Sequence, residues 1–186
     1  MATTSLPLLS FFSSIKKCFL LPALLLSTLI SLPAFALDEE ERTWPQLRDL
    51  TWMEKNYLSR QREFVDELAR EKLGLQLREN QDDLTLLQRV INRGLIESSN
   101  SRKLQALGVV LGDQFVRDFN LEWRRYEDEL GESTAACVKD TTHCLFPITM
   151  LSRRMEVGLM PNVEKIYTDA SAMITPYLPK LPYSVQ

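Results

Sequence analysis

An acid-free leader is the strongest constraint on what this chain folds into, because it decides which residues remain to fold. Residues 1–37 hold no Asp or Glu, and their only basic side chains are the adjacent Lys16 and Lys17. A mostly apolar run from Cys18 to Leu32 follows, closed by Leu32-Pro33-Ala34-Phe35-Ala36. A basic patch, a short apolar core, a helix-breaking proline and a small-x-small end are the layout of a secretory signal peptide. Ala34 and Ala36 stand where signal peptidase needs small side chains, so cleavage is expected after Ala36. The run is shorter than the roughly 20 apolar residues of a spanning helix and holds Pro22, so no transmembrane segment is expected in the mature protein. Cys18 lacks the small residue and apolar pair that precede a lipidated cysteine.

Removing residues 1–36 takes Lys16 and Lys17 from 22 basic residues against 25 acids and leaves a net charge near −5. That balance argues against nucleic-acid binding, which draws on a basic surface. Residues 37–186 are enough for about one domain with a sizeable core. Of three cysteines the mature chain keeps Cys137 and Cys144. In an oxidising compartment an even pair at short spacing is expected to form a disulfide. The competing reading is a metal or redox site, since His143 adjoins Cys144. Zinc needs three or four protein ligands, and two cysteines with the single histidine do not fill that set. No metal and no cofactor are expected.

Along the mature chain, residues 37–79 are expected to be a helical segment. Thr43 and Pro45 look like a helix start, and Leu47, Leu50, Tyr57, Phe64 and Leu68 give a stripe that Gly74 would end. Glu54 and Gln61 interrupt the stripe, so this is either one long half-covered helix or two helices breaking near Asn56. Leu84, Leu87, Ile91 and Leu95 mark a second amphipathic helix. Leu104, Leu107, Leu111 and Phe115 mark a third, from about Arg102 to Phe119. Gly108 and Gly112 lie on one side of that helix and cost roughly 1 kcal/mol each relative to alanine. Either another element packs closely on them, the favoured reading, or a ligand approaches the backbone there. Three strands should follow: Leu121–Asp128, Ser133–Val138 and Cys144–Ile148, with Pro147 at an edge or strand end. A short helix over Met150–Val157, capped by Thr149, a last helix from Pro161 to about Ile174, and a proline-rich tail over 176–186 complete the reading.

No Ser-His-Asp or metal constellation stands out, and no catalytic residue is assigned. A carboxylate pair from Glu122, Glu127 and Asp128 would be needed for glycosidase-type chemistry, but alternation sends neighbours on one strand to opposite faces. Arg153 and Arg154, expected at the start of a short helix, would oppose its dipole. An anionic partner held bidentately would explain that placement, as would an ion pair from Arg154 to Glu122 or Asp128. Trp123 and Arg125, on one strand face, are the residue types that dominate binding surfaces, although a tryptophan there also suits a core.

The stretch Leu107-Gly108-Val109-Val110-Leu111-Gly112-Asp113, then Leu121-Glu122-Trp123-Arg124, then Phe146-Pro147-Ile148-Thr149-Met150-Leu151-Ser152-Arg153-Arg154-Met155-Glu156-Val157-Gly158, resembles the bacterial domain of unknown function numbered 3806. The resemblance covers roughly residues 80 to 170 and excludes the cysteine pair and the first helix. It implies a bacterial origin, and with it a periplasmic destination, and brings no activity, substrate or site residue. The expectation is an α+β protein: a helical N-terminal half packed on a three-stranded antiparallel meander with closing C-terminal helices. Residues 80–175 form the domain proper. The expected function is a non-enzymatic periplasmic binding or interaction module with a protein partner; the alternatives are an envelope hydrolase using strand carboxylates or a small-ligand carrier beside Gly108 and Gly112.

Overall fold

The computed structural model of the protein describes residues 43–179. The leader, its cleavage point and the last residues of the tail lie outside them. The first described element is a strand where a helix was expected: Thr43 and Pro45 lead into β1 (Gln46–Asp49). The capping signal sits eight residues later, at Thr51. Thr51 takes the backbone N–H of Glu54, and the Glu54 carboxylate takes the Thr51 N–H at 2.8 Å, which closes a reciprocal capping box. The helix so started, α1 (Trp52–Leu73), runs unbroken to Gly74, whose left-handed conformation stops it. Its buried residues are Leu58, Val65 and Ala69. The expected stripe of Tyr57, Phe64 and Leu68 is rotated by one residue, with Tyr57 exposed and the other two half-buried.

Two further helices follow, α2 (Asp82–Asn92) and α3 (Ser101–Phe119), the latter capped by Asn100. Leu104, Leu107, Leu111 and Phe115 are fully buried along α3, which forms the spine of the core. The chain then makes the expected meander: β2 (Glu122–Asp128), β3 (Gly131–Cys137) and β4 (Cys144–Leu145). Because β1 pairs antiparallel with β2, the sheet has four strands in the order β1-β2-β3-β4. A short antiparallel segment as polar as Gln46–Asp49 gives almost no periodic signal, which is why sequence alone reads three strands. The architecture is α+β, with the helical N-terminal part, the antiparallel sheet and the closing helices that the sequence implies.

Pro147 stands at the first position of α4 (Pro147–Glu156), not in a strand. Proline is favoured there because its missing N–H would be unpaired in any case, so β4 is cut to two residues. The last helix, α5 (Val163–Ile174), is capped by Asn162. Gln88 on α2 clamps its entry, accepting from the Val163 N–H at 2.8 Å and donating to the Pro161 carbonyl at 3.2 Å. Farther along α5, Tyr167 stacks on Phe115 with ring centroids 5.1 Å apart and donates to Asp118. Burial, reinforced by that hydrogen bond, pushes the Tyr167 phenol up to about 12.

The glycines of α3 explain how α4 is seated. A Cβ on Gly108 would lie 2.5 Å from the carbonyl oxygens of both Pro147 and Ile148. One on Gly112 would lie 2.6 Å from Pro147 Cγ and closer still to the Trp123 ring. The first turn of α4 and the indole therefore fill the side-chain-free strip, and α3 and α4 share the most extensive contact of any two elements. No room remains beside these glycines for a small ligand. Alanine at Gly108 would recover about 1 kcal/mol of helix propensity but strike backbone, where overpacking costs typically about 1–3 kcal/mol or more. Gly108→Ala is expected to lower the melting temperature by several degrees in calorimetry; an unchanged or higher value would show that α4 can slide away.

Cys137 and Cys144 form a disulfide between directly paired residues of β3 and β4. The loop they close is also held by a 2.9 Å bond from the Val138 N–H to the His143 carbonyl. His143 stacks on Tyr177 with centroids 3.6 Å apart. For a sequence separation of 7, loop-closure entropy gives on the order of 2.5 kcal/mol of stabilisation. Denaturant titration with and without a reductant is expected to show a loss of that size at unchanged m; a reduced protein of equal stability would contradict it.

Candidate binding cleft

The β2 strand divides its two candidate residues between different tasks. Alternation places Trp123 and Arg125 on one face of the sheet. Trp123, half-buried, lies over Gly112 and donates its indole N–H to Asp113 Oδ1 at 2.9 Å. Asp113 in turn receives both nitrogens of a forked Arg62 at 2.5 and 2.7 Å. The tryptophan thus belongs to the joint between α1, α3 and β2, and the pair with Arg62 holds that joint with the planar bidentate geometry peculiar to arginine.

Arg125 faces a second cluster. Its Nε donates to Glu132 Oε2 at 2.9 Å and its Nη1 to Thr134 Oγ1 at 3.3 Å, with Glu54 3.6 Å away. The β1–β2 register sets Arg48 opposite Arg125, and Arg48 grips both oxygens of Glu54 at 2.8 and 2.9 Å. Two guanidinium and two carboxylate groups therefore alternate across β1, α1 and the β2–β3 hairpin. The hydrogen bond from Arg48, aided by the Thr51 N–H and hydroxyl against a smaller desolvation cost, lowers the Glu54 carboxyl to about 2. A depressed carboxyl stabilises the fold above its unfolded value, about 4.3, and this contribution is lost as pH falls through about 2. Acid titration is expected to show stability falling across that window in the parent and more weakly in Glu54→Gln. Equal pH dependence in the two would contradict the assignment.

Beyond this cluster lies an open cleft of about 470 Å³. Tyr57 of α1 and Gln105 of α3 border it on one side, and Arg125, Glu132 and Thr134 on another. Phe146, Ile148, Thr149 and Arg153, at and along α4, close the third. Phe146 meets Tyr126 edge-on at 5.1 Å. The structure brings Arg125 and Arg153 to this one space and leaves Trp123 and Arg154 out of it.

The expected opposition between the arginines and a helix dipole does not occur. Because α4 opens at Pro147, Arg153 and Arg154 fall in its last turn, where cations are favourable. Arg154 donates to the Met150 carbonyl of its own helix and makes no pair with Glu122 or Asp128. Glu122 stands 3.5 Å from Arg124, and Asp128 takes the Leu130 N–H at 2.9 Å within the hairpin turn; neither lines the cleft. Arg153 is exposed and has no hydrogen-bond or ion-pair partner among the described residues.

Several cleft residues escape a reading of the sequence. Glu132 meets Arg125 only through the β2–β3 register, and Glu54 only because β1 turns α1 back along the sheet. The one local signal was Thr51-x-x-Glu54, which marks the true start of α1 and brings Tyr57 to the cleft one turn later.

A crystal structure from Bacteroides thetaiotaomicron VPI-5482, at 1.50 Å resolution, shares the fold with a TM-score of 0.62 at 19% identity. The match covers 71% of this chain but 49% of that one, so this chain spans about half the length of the solved chain. No curated protein matches the sequence. Residues 83–167, from α2 into α5, match the family described as Domain of unknown function (DUF3806), and over that span this chain resembles its members.

Proposed function

We propose that the chain is an exported, periplasmic binding module without catalytic chemistry, and that its partner is captured in the cleft between α1, the β2–β3 hairpin and α4. One observation carries the reading: Arg153, with no partner among the described residues, stands over a space walled by Tyr57 and Phe146. Aromatic and arginine side chains together contribute most to binding where water is excluded around them. Export is supported by the order of the leader, with cleavage after Ala36. A disulfide suits an oxidising compartment, and no described helix is long and apolar enough to cross a membrane.

A photo-reactive residue in place of Tyr57, compared with one in place of Arg154 on the outer side of α4, tests the reading in cells expressing the full chain. The expected result is a saturable adduct from the cleft position alone, on a protein whose mature N-terminus is Leu37. Labelling from both positions alike, or from neither, would remove the cleft from consideration. A chain retaining its leader would remove export.

A further inference from the structure

The charge pattern of the cleft identifies the chemistry of its occupant, an inference that rests on the binding reading above. We propose that the occupant is anchored by a single carboxylate, borne on an apolar or aromatic group, that pairs with Arg153. Arg125 is already committed to Glu132 and Thr134, with Glu54 near it. Arg153, without a partner among the described residues, is the cation left to meet a ligand.

The sign of the ligand charge follows from Arg153, and Glu132 limits its size. The Glu132 side chain borders the cleft and is 44% exposed. A phosphate brings roughly −1.5 to −2 charges at neutral pH and would be repelled by that carboxylate while outnumbering the one free guanidinium. A carboxylate brings one charge and matches the arginine fork with two parallel hydrogen bonds. Tyr57, Phe146 and Ile148 supply the apolar part of a wall that also carries Ser133, Thr134 and Thr149, and an apolar group beside the carboxylate rests on that part. Gln105 offers an amide for a neutral polar group on the same ligand.

Two sources carry this chemistry, a free apolar carboxylic acid and the C-terminus of a peptide. Calorimetric titration of the purified chain with N-acetyl-phenylalanine, with short peptides ending in phenylalanine, with the amides of both, and with phenyl phosphate separates them. The acids are expected to bind at least about tenfold more tightly than their amides and than phenyl phosphate. Arg153→Gln is expected to remove about tenfold in affinity at unchanged melting temperature, since the residue is exposed, with Arg153→Lys intermediate. Tighter binding of the peptide acid assigns a chain terminus, and equal binding assigns a free acid. Amides binding as well as acids, phenyl phosphate binding more tightly, an unaffected Arg153→Gln, or no acid binding in the millimolar range would overturn the proposal. Adducts at Tyr57 that persist unchanged in Arg153→Gln would overturn the carboxylate while leaving the cleft as a binding site; absence of adducts would overturn both.

Discussion

The rest of the structure depends on the contact between the bare backbone of α3 at Gly108 and Gly112 and the opening turn of α4. Two helices normally pack with axes about 8–10 Å apart, kept off by their side chains. With no Cβ in the way, the carbonyls of Pro147 and Ile148 come down onto α3 itself, and the Trp123 ring fills what remains. That contact fixes α4 against the spine of the core and holds β2 from beneath. It also sets Phe146 and Arg153 on their side of the cleft. The intrinsic cost of two glycines inside a helix is about 2 kcal/mol by propensity, and it is offset by burial that no larger residue would permit.

The opposite wall is held by charge more than by apolar packing. Arg48, Glu54, Arg125 and Glu132 each touch a partner of opposite sign on a different element. Exposed ion pairs are individually worth little, but a linked set fixes side-chain directions. Here it aims Arg125 along the hairpin and leaves Arg153 as the cleft arginine without a counter-ion among the described residues. The Arg62–Asp113–Trp123 triad plays a similar part on the same face of the sheet, joining α1 to α3 and both to β2 through a half-buried indole.

Features governed by local rules were legible in the sequence. The α3 core face at Leu104, Leu107, Leu111 and Phe115, the Gly74 stop, the meander and the Cys137–Cys144 bond all follow from periodicity, stop signals or cysteine count. Features decided by pairing over distance were not. Gln46–Asp49 becomes a strand only because β2 offers it an edge, and that displaces the helix start to Thr51 and rotates the α1 stripe from Tyr57 to Leu58. The reading of Pro147 as a strand end rather than a helix start moved the start of α4 by three residues, which was enough to misplace Arg153 and Arg154 relative to its dipole. Of the candidate site residues, Arg125 and Arg153 converge, whereas Trp123 serves the joint between β2, α1 and α3. Tyr57, Glu132 and Phe146 reach the cleft by tertiary placement that residue spacing does not encode.

The first strand has a consequence for how this architecture divides. Residues 83–167 are the portion with family resemblance, yet β1 and α1 lie outside that span. A chain trimmed to those residues would strip β2 of its outer neighbour and lay bare the strand edge over the four residues, Arg124–Glu127, that β1 covers. It would also leave Asp113 and Trp123 without Arg62, and Arg125 without Glu54. Exposed edges of that length recruit strands from other molecules. In this protein, cover for that edge of the segment is therefore supplied from outside it, by a four-residue strand that carries almost no hydrophobic signature of its own.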